Sequence, residues 1–222
     1  MARKSVTLPE TMPQREAPDV LFLLSTGCHH CPVVLERLNQ LLKQGRIGRL
    51  ESVNIVNRPE LADELNVRSV PWTRIGHFEL DGALSPKEVD EWVTRASSGE
   101  GISDYFSESL ESQRPDKVIK WLNRCPENLK QLLELLLIDS TPMAARIGVG
   151  VVIEQLEGDP RLELAMATMI TLSQSEHANI RADAAHFLGM SHSPKARTVL
   201  TRLLKDNHPD VREIAAESLE LV

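Results

Sequence analysis

Two cysteines separated by two residues, in the run Cys28-His29-His30-Cys31-Pro32, are the side chains of this chain best suited to chemistry. The spacing serves either redox exchange between thiols and disulfides or the binding of a soft metal ion. A closed tetrahedral zinc site needs a second ligand pair, because four adjacent residues cannot wrap one ion. Only Cys125 and scattered histidines remain to supply it, so no metal is expected and Cys125 reads as an ordinary half-buried thiol. Redox exchange asks for a thiolate, and a thiol near pKa ~8.5 is mostly protonated at neutral pH. The surroundings of the pair must therefore favour the anion.

The flanking sequence sets the pair at the start of a helix. Val20 to Ser25 is a short apolar run that reads as a strand buried on both faces, and Thr26-Gly27 breaks it. Beyond Pro32, Val34, Leu35, Leu38, Leu41 and Leu42 recur at helical spacing, and Cys31 joins that stripe. Cys28 thus stands at the open N-terminal end of the helix, while Cys31 points one turn along toward the core. Unpaired N–H groups and the positive end of the helix dipole favour an anion at Cys28, and protonated His29 or His30 would add to that. Gly45 and Gly48 end the helix, and Leu50 to Val56 alternates as a second strand. Arg58 to Asn66 reads as a short helix with Pro59 in its first turn. Trp72 to Ile75 and His77 to Leu80 read as a hairpin turned near Gly76. Ser85-Pro86-Lys87-Glu88 is a capping box, with Leu84 and Val89 as its staple and Val89, Trp92, Val93 and Ala96 as the apolar face that follows. The order is β-α-β-α-β-β-α.

Three separated features occur in that frame: C-x-x-C-P between first strand and helix, V-R-S-V-P before the hairpin, and Asp81-Gly82-Ala83-Leu84-Ser85 entering the last helix. Together they make residues 20–96 resemble a thioredoxin or glutaredoxin fold. The stretch T-G-C-H-H-C-P-V-V is similar to the glutaredoxin-like N-terminal domain of alkyl hydroperoxide reductase flavoproteins. The resemblance implies that Cys28 attacks a disulfide and Cys31 resolves the mixed disulfide. It also implies a cis Val70–Pro71 bond packed against the pair, with Val70 backbone groups left to bind an extended client and Trp72 narrowing the groove. The chain departs from the thioredoxin pattern at Gly27, where tryptophan is usual, and in Val20 to Ser25, which holds no acid. The proton acceptor for Cys31 is then unassigned, with His29 and His30 as candidates. The direction of exchange stays open, since histidine between the cysteines makes a disulfide more oxidising while a cytoplasmic setting favours a reductase.

Ser97-Ser98-Gly99-Glu100-Gly101 reads as a linker, dividing the chain into residues 1–98, an α/β thioredoxin-like domain with an extended N-terminal segment, and residues 99–222. The second part is helical throughout. Val118 to Asn123 and Asn128 to Ile138 form amphipathic or apolar stretches, and internal repetition follows. The run from His177 to Leu188 aligns with His208 to Leu219, matching His177 with His208, Arg181 with Arg212, both alanines and the final leucine. A fainter copy carries Arg146, Val149-Gly150 and Ile153. These runs resemble short HEAT-like repeats, in which paired helices stack and alanines permit close approach. Three or four helix pairs fit this all-α HEAT-like helical-repeat domain. Gly148-Val149-Gly150 lacks the rest of a nucleotide fingerprint and follows no strand.

Composition narrows the partners. With 41% hydrophobic and 26% charged residues, the chain is typical of a globular protein. Its longest apolar run, Val20 to Leu24, is far short of the ~20 residues of a membrane helix, and the opening residues show no secretory pattern, so a cytoplasmic location is expected. Residues 99–222 hold 13 Lys+Arg against 19 Asp+Glu, and no basic run occurs, which argues against nucleic-acid or anionic-lipid surfaces. The expected function is a thiol-disulfide oxidoreductase without cofactor, acting on a protein client docked by the repeats and served by an electron-donor thiol system. The alternative is a redox-sensing adaptor without turnover.

Overall fold

The computed structural model describes residues 17–222, so the segment before Ala17 lies outside the described residues. The chain divides into two compact units, the first ending at Glu100 and the second beginning at Gly101. No helix among the described residues is long and apolar enough to cross a membrane.

The first unit runs β1 (Asp19–Leu24), α1 (Cys31–Lys43), β2 (Arg49–Asn54), α2 (Pro59–Leu65), β3 (Trp72–Ile75), β4 (Phe78–Asp81) and α3 (Pro86–Ser98). Its sheet has the order β2-β1-β3-β4, with β1 parallel to β2 and antiparallel to β3, which pairs antiparallel with β4. The α/β order read from the sequence is the one observed. In the register, Val20 lies opposite Ile75 and Phe22 opposite Thr73, so these residues share one sheet face. Phe78 belongs to that face too, and its ring lies 5.0 Å from that of Trp92, which places α3 over it. Val34, Leu38 and Leu41 of α1 are buried with Val89 and Val93 of α3. Leu42 is exposed instead, because the next residue after Leu41 turns a further 100° away from the sheet. Asp90 of α3 ties the two helices by accepting from Arg37 at 2.6 Å and from Arg46 at 2.8 Å. Half-exposed pairs of this kind contribute about 1 kcal/mol or less each, so the apolar contact carries the packing. The capping box at α3 is present as read: Ser85 Oγ accepts from the Glu88 amide at 3.3 Å and Glu88 Oε2 accepts from the Ser85 amide at 2.7 Å.

The second unit is helical: α4 (Ile102–Glu111), α5 (Pro115–Arg124), α6 (Leu129–Glu134), α7 (Met143–Gln155), α8 (Met166–Leu172), α9 (Ala178–Met190), α10 (Arg197–Leu203) and α11 (Pro209–Leu219). Residues 128–138 are not one helix. A 3-10 turn precedes α6 and another, Leu135–Leu137, follows it. In one layer α7 packs on α4, α9 on α7 and α11 on α9, while α8 packs on α6 in the other. The recurrent arginine has a defined task. Arg146 donates to the carbonyl oxygens of Leu136, Ile138 and Thr141, Arg181 to those of Ser175 and Glu176, and Arg212 to those of Asp206 and Asn207. Each guanidinium thus satisfies the carbonyls of the turn that leads into its own helix.

Small residues set the helix spacing. A Cβ on Gly189 of α9 would stand 2.8 Å from Ser218 Cβ and 3.0 Å from Ser218 Cα of α11, whereas one on Gly150 would meet nothing within 4 Å. Gly189→Val is therefore expected to lower stability by about 2–3 kcal/mol through overpacking. Gly150→Ala is expected to raise it by up to about 1 kcal/mol through helix propensity. Denaturant midpoints of the two variants check both signs.

Candidate redox site

β1 ends at Leu24, and the loop that follows turns back on itself through the Cys28 amide, which donates to the Ser25 carbonyl at 3.2 Å. Cys28 and Cys31 are joined in a disulfide with their Cα atoms 5.5 Å apart. Cys28 is half-buried, and Cys31, the first residue of α1, is buried with the helix's apolar stripe. The Cys31 amide points at its partner, donating to Cys28 Sγ at 3.1 Å.

The start of α1 leaves an anion-seeking environment around Cys28. His30 at the N-cap makes no side-chain cap hydrogen bond, and no acid stands in the first turn. The contrast within the same unit is α3, whose first amides are occupied by Ser85 and by the Glu88 carboxylate, itself held below the usual range by the Ser85 amide. Orphan donors and an uncompensated dipole end at α1 favour a thiolate at Cys28 once the disulfide is reduced. Burial instead favours the protonated thiol at Cys31. His29 and His30 are exposed beside the pair, in reach of solvent protons.

The Val70–Pro71 bond is cis. Because Trp72 pairs with Leu23, Pro71 lies level with Leu24, at the sheet end from which the Cys28 loop springs. Val70 is half-exposed there and Pro71 buried. Trp72 does not narrow a groove. Only 2% of it is exposed, since β3 begins at this residue and its register with Leu23 turns the indole into the core. Among the described residues of the unit the buried carboxylate is Glu79 on β4, opposite Arg74, which lies two residues farther from the site end of β3 than Trp72. Glu79 therefore lies away from the site, and the one acid of β1, Asp19, stands at the strand end opposite the one that leads to Cys28.

Two features of the surroundings carried no sequence signal. Asn54, at the end of β2, donates to Thr26 Oγ1 at 3.1 Å and so braces the loop before Cys28. An open cleft of about 410 Å³ lies beside Pro32, lined by Val33, Glu36, Arg37, Gln40 and Pro86. Cys125, at the end of α5 in the other unit, lies outside any disulfide, and burial pushes its thiol pKa up, which makes it a poor nucleophile. Among the described residues no cluster of three or more His, Cys, Asp or Glu side chains is arranged to hold a metal ion.

Residues 19–94 match the family model of a thioredoxin domain, and residues 129–220 match that of HEAT repeats. No curated protein and no solved structure matches the chain.

Proposed function

We propose that this chain, a thioredoxin domain joined to HEAT repeats, is a thiol-disulfide oxidoreductase that acts on a protein client held by the repeats. The observation that carries the reading is the Cys28–Cys31 disulfide at the uncapped start of α1. In the reducing direction the Cys28 thiolate attacks one sulfur of a client disulfide, and the other client sulfur leaves as a thiolate that takes up a proton. Cys31 then gives its proton to His29, His30 or water. Its sulfur attacks Cys28 Sγ, closing the Cys28–Cys31 disulfide and releasing the second client sulfur as a thiolate, which is protonated in turn. Two electrons have passed to the client, and a donor dithiol from a cellular thiol system restores them by the same exchange. Val70, half-exposed at the sheet end from which the Cys28 loop springs, offers an extended client segment a place to align. The cytoplasm, where thiol donors are maintained, suits this cycle.

The test is reduction of insulin by dithiothreitol in the presence of the full chain. The expected result is a rate at least about tenfold above the reagent alone, a difference of about 1.4 kcal/mol in barrier. No acceleration by a chain shown to carry the reducible pair would leave the adaptor reading, in which disulfide state governs partner binding without turnover.

A further inference from the structure

We propose that the α7–α9 face of the repeats docks a protein segment that presents apolar side chains beside a lysine or arginine, the apolar groups covering Met143 and Ile147 and the cation seating on Asp183. The inference deepens the reading above by giving the partner-holding role of the repeats a location and a chemistry.

The apolar part rests on the two most exposed large apolar residues of the second unit. Met143 and Ile147 are 70% and 62% exposed, and Leu137 and Ile138 on the preceding turn are exposed as well. Met143 and Ile147 stand one turn apart on α7, on the side opposite its buried residues Ala145, Val149 and Val152. Ile138 is held next to that turn because its carbonyl accepts from Arg146 at 2.7 Å. Continuing the same stripe by two turns reaches Glu154, whose carboxylate lies 3.7 Å from His186 Nε2 of α9. The stripe therefore runs alongside α9.

The charged part follows from how the cations of this layer are used. Arg146, the cation nearest the stripe, commits its donors to three backbone carbonyls. Arg181 and Arg212 are committed likewise, and α7, α9 and α11 contain no lysine. Asp183, one turn before His186 on α9, is half-buried, and its carboxylate accepts no hydrogen bond among the described residues. Burial pushes its pKa up, opposed by the nearby charges of His186 and Arg146. A half-desolvated carboxylate with an unfilled hydrogen-bonding capacity gains from an incoming N–H donor, and charge-assisted bonds are the strong ones. A second copy of this chain is a poor occupant, because a two-fold contact would set Asp183 and Glu154 against the same acids and offer no uncommitted cation.

The test uses the full chain and a fluorescein-labelled amphipathic peptide of about fourteen residues, leucine on one face and lysine on the other, with a control in which glutamate replaces lysine. By fluorescence anisotropy the lysine peptide is expected to bind at least about tenfold more tightly than the control. Asp183→Asn and the double variant Met143→Ser/Ile147→Ser are each expected to weaken it about tenfold. Unaltered thermal melts confirm that the variants fold. Unchanged affinity in either variant, equal binding of the two peptides, or no binding by the native chain would overturn the proposal. So would a native chain that elutes as a dimer and a double variant that elutes as a monomer, since a second copy would then cover the face. Insulin reduction by the same native preparation reports separately on the oxidoreductase reading: peptide binding without turnover sinks that reading alone, and turnover without peptide binding sinks only the docking surface.

Discussion

Cys28→Ser is expected to remove disulfide turnover altogether, a loss of about a thousandfold or more, because in the proposed cycle the attacking thiolate is Cys28, at the uncapped start of α1. Cys31→Ser is expected to behave differently. Its Cys28 still attacks, but nothing resolves the product, so one client sulfur stays bound to Cys28 and the mixed disulfide accumulates. Non-reducing gels with mass spectrometry of the trapped species separate the two variants and identify the client. Alkylation of each single variant across pH tests the cause, with the Cys31→Ser protein expected to react faster at neutral pH. Accumulation of adducts on Cys28→Ser instead would reverse the two roles.

The second large effect is expected at Arg181. Its side chain is 12% exposed and that of Asp206 9%, and the two are joined by paired hydrogen bonds of 2.8 Å. Arg181→Met leaves a largely covered carboxylate without its cation and removes donors from two successive turns, at an expected cost of about 2–3 kcal/mol. The pair also sets an acid dependence. Asp206 is lowered to about 2, chiefly by its hydrogen bond to Arg181. A carboxylate depressed in the folded state adds stability that is fully present above its unfolded pKa of about 3.9 and is lost as pH falls through the folded value. The stability gap between native chain and variant is therefore expected to be constant near neutrality and to narrow between about pH 4 and 2. Denaturant unfolding at several pH values measures it, and a gap that stayed constant to pH 2 would show that the pairing with Asp206 is not its source.

What could be read from the chain before its structure was governed by short-range physics. The apolar stripe of α1, the capping box at Ser85 and the repeated arginine and alanines declare themselves within a few residues, because helix period and end chemistry are local. Trp72 escaped such reading. Whether it faces a groove or the core depends on its register with Leu23, a pairing across nearly fifty residues that no local pattern encodes. The identity of Arg181 and Arg212 was visible in the repeat, but their bonds to the preceding turns were not, since carbonyl acceptors have no sequence signature. Asn54 and Asp183 were hidden for the same reason: each matters through a neighbour that folding alone brings close.

The arginine that binds the turn ahead of its own helix also bears on how such a chain can change over generations. Arg146 and Arg212 each find their carbonyl acceptors within the ten residues before them, and the Ser175 and Glu176 bonds of Arg181 are equally near in sequence. A duplicated stretch of DNA covering one turn and one helix would therefore carry both halves of its fastening with it, and the copy would arrive already closed. The lateral links from Arg181 to Asp206 and Asn207 would have to be re-established with a new neighbour. Length is thus a trait this array can vary by copying, with selection left to adjust the lateral contacts of each added unit.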